Sequence, residues 1–142
     1  MCVINNNIMK TSANSGSEEL TISHRGSDIT FNVELEVLYF YRDAHLIYLV
    51  ALDGSEYPLR RSLSSIMEQV ANSSFLQINR SVLFNFNFVE TYKPGVRRDT
   101  LELTFKKSIQ SVISGKIKNL FTVTREHLGR IRDRLNHETQ EN

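Results

Sequence analysis

Short runs of β-branched and aromatic residues, separated by tight-turn residues, constrain the fold of this chain more than any other feature. The stretch "VLYFYRDAHLIYLVALDGSEYPL" (37–59) has two apolar runs around the polar tip Arg42–His45 and a second turn at Asp53–Ser55. Before it, "ELTISHRGSDITFNVE" (19–34) alternates around Arg25–Asp28, where a glycine can supply the positive φ of a tight hairpin. These runs predict a series of antiparallel hairpins.

Further strands are predicted after residue 88. Pro94–Gly95 marks a turn, and the following "DTLELTF" (99–105) alternates apolar and polar residues. The runs "SIQSVI" (108–113) and "LFTVT" (120–124) are predicted to pair around Ser114–Gly115. The chain is therefore expected to be mostly β.

Two segments have helical periodicity instead. In the middle of the chain Leu59, Leu63, Ile66 and Val70 recur at spacings of four, three and four, and Ser62 is the predicted N-cap. Near the end, Leu128, Ile131 and Leu135 share one face of a short amphipathic helix.

Length and composition favour one domain with two tails. The chain has 142 residues and is 40% hydrophobic, which suffices for a single core. We predict a flexible tail or linker at 1–17, a domain at 18–137 and a tail at 138–142. The longest apolar run, Leu46–Leu52, is far shorter than the ~20 residues of a membrane helix. The start lacks signal-peptide features, so a cytoplasmic location is expected.

The charge is distributed unevenly along the chain. Residues 1–79 contain 5 Lys+Arg and 9 Asp+Glu, whereas residues 80–142 contain 12 and 7. A basic C-terminal part is compatible with a nucleic-acid-binding face, and also with an ordinary solvated surface.

Nothing in the sequence indicates catalysis. There is no glycine-rich phosphate loop, the four histidines are scattered, and Cys2 has no second cysteine for a disulfide or a metal pair. We therefore predict a protein that is not an enzyme, has no small-molecule substrate and needs no cofactor or metal.

The segment "FLQINRSVLFNFNFV" (75–89) places polar residues inside an apolar run. Arg80 can either tie loops and buried carboxylates together, or project from a turn and read a guanine edge in the major groove. Asn85 between two phenylalanines is typical of a residue that bonds neighbouring backbone. Arg125 follows Thr124, the predicted cap of the last helix, and is either merely exposed or turned towards a phosphate or base.

These residues together resemble a known family. Phe75, Asn79, Arg80, Ser81 and Asn85 are similar to the Phe-x-x-x-(His/Asn)-(Arg/Lys/Asn)-Ser-hydrophobic-hydrophobic-Val-Asn pattern of the LytTR DNA-binding domain of bacterial transcription regulators. The resemblance extends from Glu18 to Leu135 and includes the preceding helix and Thr124–Arg125. Gln77 and Asn79 depart from it, since the family often has a basic residue and a histidine there. The segment between Phe105 and Phe121 is also longer than expected.

The resemblance implies an elongated, mostly β fold of multi-stranded antiparallel sheets with one mid-chain helix and a short C-terminal helix. It also implies three DNA-contacting loops, with contacts in two successive major grooves and in the minor groove between them. On this basis the predicted base readers are Arg80, Arg125 and, as the third, His45 or alternatively Arg42 in the same loop. Asn85 and Ser62 are predicted to be structural. The predicted phosphate contacts are Arg42, Asn79, Ser81, Lys93, Arg97, Arg98, Lys116 and Lys118.

The resulting hypothesis is a sequence-specific regulator of transcription that binds double-stranded DNA at direct repeats as a homodimer. No receiver domain precedes the DNA-binding part in this sequence. Either its input comes from a partner protein, such as a membrane inhibitor, or the chain is a piece of a longer one with an upstream receiver domain. The alternative is a protein-interaction module that binds a membrane or regulatory partner and has little DNA affinity. Gln77 and the net charge of only +1 motivate that alternative.

Overall fold

A computed structural model describes residues 19–71, 73–113 and 118–140 of the chain. The predicted tail at 1–17, the predicted turn Ser114–Gly115 and residues 141–142 lie outside these ranges. None of the helices within them combines the length and apolar composition that crossing a bilayer requires.

The described residues form three antiparallel sheets, which confirms the mostly β prediction. The strands are β1 (Glu19–His24), β2 (Ser27–Asn32), β3 (Val37–Asp43), β4 (Leu46–Ala51), β5 (Glu56–Leu59), β6 (Phe75–Asn79), β7 (Val82–Asn85), β8 (Val89–Pro94), β9 (Leu101–Phe105) and β10 (Thr122–Val123). Strands β1 and β2 form a hairpin, and the central sheet has the order β5-β4-β3-β7-β6. The third sheet has the order β10-β9-β8.

Helices are short except at the end of the described chain. The α-helices are α1 (Val33–Glu36), α2 (Leu63–Gln69), α3 (Gln110–Ile113) and α4 (Leu128–Gln140). The mid-chain and C-terminal helices were both predicted. Leu59, however, belongs to β5 and was wrongly included in the mid-chain helical pattern. It packs in the same hydrophobic cluster as Leu63 and Ile66, so the apolar spacing continues across the boundary between strand and helix.

The predicted pairing of "SIQSVI" with "LFTVT" is wrong. Residues 107–113 form a 3₁₀ turn followed by α3, because Ile109 and Val112, three residues apart, both pack against the core. Strand β10 pairs with β9 instead, where Val123 lies opposite Leu101. Both of these side chains are buried.

The central sheet is buried on both faces. On one face, the β1–β2 hairpin and α2 cover Phe40, Leu49 and Leu83. On the other face, the third sheet and α4 cover Val50 and Phe84. Each large apolar side chain removed from water contributes about 1.5–3 kcal/mol. Two hydrophobic clusters, one on each face, therefore stabilise the central sheet.

The two edges of the central sheet are protected differently. Strand β5 has only four residues and contains Pro58, which has no backbone N–H to offer a further strand. On the other edge, the Ile78 carbonyl of β6 accepts a 3.0 Å hydrogen bond from Thr124 N. This bond fixes the start of the C-terminal segment against β6.

Candidate nucleic-acid interface

The β3–β4 turn and the β6–β7 turn lie side by side at one end of the central sheet. Strands β3 and β7 are neighbours, with Tyr41 opposite Val82. Arg42 N donates to Ser81 O at 2.8 Å, and Arg42 Nη2 donates to Arg80 O at 2.7 Å. Arg42 thus connects the two turns, and its exposed side chain still has free donors.

Asn79 shapes the β6–β7 turn from inside the protein. Its side chain is only 8% exposed, and Oδ1 accepts a 2.8 Å hydrogen bond from Ser81 N. Its Nδ2 donates to Leu120 O and Thr122 O, both at 3.0 Å. The amide therefore ties this turn to the segment that leads to Arg125, and Arg80 is left exposed at the tip.

Arg125 begins the 3₁₀ helix Arg125–His127, directly after the bond between Thr124 N and Ile78 O. Thr124 is the N-cap residue of this turn, as considered from the sequence, but its side chain makes no cap hydrogen bond to the backbone of the turn. The Arg125 side chain is 83% exposed, and its Nε lies 3.9 Å from Asp99 Oδ2. At this exposure such an ion pair is weak, so the guanidinium can exchange it for another acceptor.

His45 is the second residue of the β3–β4 turn and is exposed. The preceding Ala44 has φ 60°, while His45 is not among the residues with positive φ. Positive φ at the first of two turn residues is the type II′ pattern, which matches the twist of a hairpin. The imidazole stands at the same sheet end as Arg42 and Arg80.

The β8–β9 loop contributes Arg97 and Arg98, which are exposed beside Asp99. This loop is closed by a bond from Gly95 N to Thr100 O at 3.0 Å and one from Thr100 Oγ1 to Arg97 O at 2.7 Å. It lines a shallow cavity with Arg132 of α4.

Of the remaining predicted phosphate contacts, Ser81 lies at this sheet end, Lys93 lies elsewhere, and Lys116 and the side chain of Lys118 are not described. Lys93 lies in β8 with its Nζ 3.8 Å from Glu102 Oε1. Ser81 is half-buried in the β6–β7 turn. Lys116 lies outside the described residues, and only the backbone of Lys118 is described, in a 3₁₀ helix.

The two residues predicted to be structural make internal hydrogen bonds. Ser62 Oγ accepts from Ser65 N at 3.1 Å at the start of α2. Asn85 is fully buried, and its Nδ2 donates to the carbonyls of Glu34 and Val37. Its Oδ1 accepts from Ser74 Oγ at 2.6 Å.

The pKa of His127, two residues after Arg125, is lower than that of an ordinary histidine. Burial lowers the pKa of His127, and Arg130 lowers it further, while Glu126 opposes both. The neutral ring can accept a hydrogen bond from Thr124 Oγ1, which lies 3.3 Å from Nδ1. Among the described residues, no group of three or more His, Cys, Asp or Glu could hold a metal ion.

Sequence reasoning missed two features of this end of the molecule. The bond from Arg42 to Arg80 joins residues 38 positions apart, so no local pattern signals it. Arg25, Arg60 and Arg61 also reach this end, although they come from the net acidic part of the chain. A count of charges along the sequence groups these arginines with acidic residues that lie elsewhere in the fold. The strand order is what brings the arginines to one end of the sheet.

Comparison with known proteins gives the family. The model of the LytTr DNA-binding domain matches residues 28–135. The chain belongs to this DNA-binding family of transcription regulators. The LytTr fold is also that of a solved domain described as part of a methyl-accepting/DNA response regulator from Bacillus cereus. The two share 18% sequence identity with a TM-score of 0.62, and the match covers 83% of this chain and 96% of the other. No curated protein matches the sequence.

Proposed function

We propose that this chain is a regulator of transcription that binds double-stranded DNA sequence-specifically through the sheet end formed by the β3–β4 and β6–β7 turns and Arg125. The observation that carries the proposal is the placement of two exposed arginines, Arg80 and Arg125, on segments joined by the buried Asn79 amide. Membership of a DNA-binding family supports DNA as the partner.

Arg80 and Arg125 are the proposed readers of base edges. A guanidinium presents two parallel donors that match O6 and N7 of guanine in the major groove. The anchored Asn79 turn limits how far Arg80 can move, which favours a fixed register on the bases. His45 is the third proposed reader, because it projects from the neighbouring turn and its ring offers both a donor and an acceptor when neutral.

Phosphate contacts are proposed around these readers. Ser81, Arg97 and Arg98, together with Lys93, Lys116 and Lys118, would position the protein without reading sequence. Arg42 would use the donors left free by its bond to Arg80. Asn79 enters the proposal as the residue that shapes the turn, because its amide is already bonded inside the protein.

Two copies of the domain are proposed to occupy a direct repeat and to form a homodimer on DNA. The input would come from a receiver domain or a membrane inhibitor protein. The competing proposal, a module for protein interaction alone, differs in one measurable respect. Binding through phosphates weakens steeply as salt rises, whereas a protein-only module retains no DNA at any salt.

Selection of random duplexes on the purified protein tests the proposal. At low salt we expect enrichment of a consensus with two copies of a short element in the same orientation. A scrambled duplex of equal length and composition serves as the control. Recovery of no consensus would reject sequence-specific binding, and absence of any salt-sensitive retention would favour the protein-interaction module.

A further inference from the structure

A cleft of about 920 Å³ opens between the β1–β2 hairpin and the adjoining ends of β4 and β5. Five of its lining residues have imidazole or guanidinium side chains, and none has a carboxylate. We call these five residues the basic cleft: His24, Arg25, His45, Arg60 and Arg61. Two other cavities among the described residues each include an acidic residue, Glu68 or Asp99.

Strand order brings the basic cleft to the same sheet end as the proposed base readers. Arg60 directly follows β5, and Ile47 of β4 lies opposite Leu59. This register places Arg60 next to His45, which precedes β4. Arg25 comes from the β1–β2 turn, where its φ of 53° and that of Gly26, 81°, fit a type I′ hairpin.

The arginines of the basic cleft differ in whether their side chains already form hydrogen bonds within the protein. Arg61 is held by Ser65 Oγ at 2.9 Å and by Gln69 Oε1 at 2.6 Å, so it contributes charge from a fixed position. The side chains of Arg25 and Arg60 are exposed, and neither has a hydrogen bond or ion pair within the described part of the chain. The nearby Asp28 accepts from Ser23 Oγ at 3.3 Å.

We propose that the basic cleft binds the phosphate backbone of DNA that flanks the bases read by Arg80 and Arg125, with Arg25 and Arg60 as the contacting residues. This inference rests on the proposed function. Neighbouring strands are about 4.8 Å apart, so the β5 edge lies roughly 14–19 Å from the β6–β7 turn. A major groove is only about 12 Å wide. A turn inserted into the groove therefore places the β5 edge of the basic cleft, where Arg60 lies, at or beyond the adjacent phosphodiester chain.

Phosphate fits the position of Arg25 and Arg60 better than a base edge does. Three guanidinium groups border an open cleft that no carboxylate lines, and such a site attracts anions regardless of sequence. The fixed Arg61 raises the local potential, while the free Arg25 and Arg60 can follow the backbone. The contact should therefore change affinity equally on all sequences.

The salt dependence of the double variant Arg25→Ala/Arg60→Ala tests the inference. Each lost phosphate contact makes the negative slope of log affinity against log salt shallower by about 0.9. For the loss of both contacts we expect the magnitude of the slope to decrease by about 1.8 on the selected site. Affinity at one salt concentration should fall by the same factor on cognate and scrambled duplexes. The control Lys106→Ala/Lys107→Ala removes the same charge from exposed positions. These lysines precede α3, which packs near Gly54 at the opposite end of the central sheet. The slope should not change in that control.

Shortening the duplex gives an independent readout. When base pairs are removed from each end in turn, the wild-type protein should lose affinity in one step at one end only. The double variant should lack this step, and its thermal stability should equal that of the wild type because both arginines are exposed. An unchanged slope and an unchanged step in the variant would overturn the inference while leaving the proposed function intact. Failure of the wild-type protein to select any duplex would instead reject the proposed function.

Discussion

At the scale of single residues, the Asn85 amide holds four chain segments together. Its Nδ2 donates to Glu34 O at 3.0 Å and to Val37 O at 2.8 Å, and its Oδ1 accepts from Ser74 Oγ and from Asn87 N. The residue is fully buried, so water cannot replace these partners. The amide therefore joins α1, the start of β3 and both ends of the β6–β7 hairpin.

Asn85→Ala is expected to lower the free energy of unfolding by about 3 kcal/mol or more, because each buried group left unpaired costs about 1–3 kcal/mol. Urea denaturation monitored by circular dichroism measures the change. Asn87→Ala is the matched control, since Asn87 is exposed and should lose less than about 1 kcal/mol. Equal losses in the two variants would contradict the role assigned to Asn85.

Arg80→Ala and Arg125→Ala are each expected to weaken binding to the selected site by about 1–3 kcal/mol and to relax discrimination at one base position. Fluorescence anisotropy on the consensus and on its single-base variants measures both effects. Arg97→Ala, a proposed phosphate contact, should weaken binding to every duplex by the same factor. If Arg80→Ala showed that uniform behaviour, Arg80 would be a phosphate contact and not a base reader.

Among single residues, the sequence was informative where a chemical type stood out in its local context. Arg80 and Asn85 both contrast with the apolar run around them, so their chemical type alone distinguishes them from core residues. The roles of Arg42 and Asn79 depend on partners 38 and more than 40 positions away. Such contacts depend on the strand order, and the local spacing of residues does not predict them.

At the scale of elements, the β8–β9 loop depends on the absence of a side chain at Gly95. A Cβ there would overlap with Thr100 Oγ1 and lie 3.2 Å from the Thr100 carbonyl carbon. The bond from Gly95 N to Thr100 O closes the loop that presents Arg97 and Arg98.

Gly95→Ala should therefore destabilise the domain by about 1–3 kcal/mol, as overpacking does elsewhere. Gly129→Ala is the contrasting control, because a Cβ at that position in α4 meets no atom within 4 Å. Alanine there should raise stability by up to about 1 kcal/mol through its helix propensity. Thermal denaturation of the two variants should thus give shifts of opposite sign.

The 3₁₀ helix Arg125–His127 gives a pH prediction. Because burial lowers the pKa of His127, the unfolded chain takes up a proton near pH 6.5 before the folded protein does. The stability that depends on neutral His127 is complete above pH 6.5 and is lost as the pH falls through the lower folded pKa. Wild-type protein should lose stability relative to His127→Asn between pH 7.5 and 5.5, as measured by urea denaturation. A constant difference across this range would show that His127 does not titrate with folding.

Elements were predictable where periodicity and turn chemistry agreed. The β1–β2 and β3–β4 hairpins combine alternating runs with residues that tolerate a turn. The partner of β10 was not predictable, because its two residues contain no period of their own. Its pairing with β9 follows from burial of Val123 in the core, which is a tertiary effect.

At the scale of the whole molecule, the β1–β2 hairpin belongs to the core even though the family match begins within β2. Leu20 and Ile22 of β1 are 2% and 7% exposed and cover one face of the central sheet. The folded unit therefore includes β1.

A variant that starts at residue 28 should lose about 3–6 kcal/mol of unfolding free energy, since two large side chains leave the core at about 1.5–3 kcal/mol each. That is a large part of a typical total of about 5–15 kcal/mol. A variant that starts at residue 18 should have the melting temperature of the full chain, as the predicted domain boundary requires. Differential scanning calorimetry distinguishes the two, and equal stability would place the boundary after β1.

The charge of the whole molecule shows what a linear count conceals. The first 79 residues have a net acidic balance, yet Arg25, Arg42 and Arg60 lie at the same sheet end as Arg80. The count assigned the basic surface to the C-terminal part because it averaged over residues that strand order separates. The distribution of surface charge depends on the strand order. The sequence predicted the class of fold but not that order.

Pro58 in the edge strand β5 has a consequence for how copies of this protein can associate. Many proteins associate by pairing their edge strands into one continuous sheet. Strand β5 has only four residues and lacks the backbone N–H of Pro58, so it is a poor edge for such pairing. The opposite edge strand, β6, is already engaged by Thr124. Copies bound at neighbouring sites would therefore remain separate sheets, and the distance between them would follow the helical repeat of the DNA.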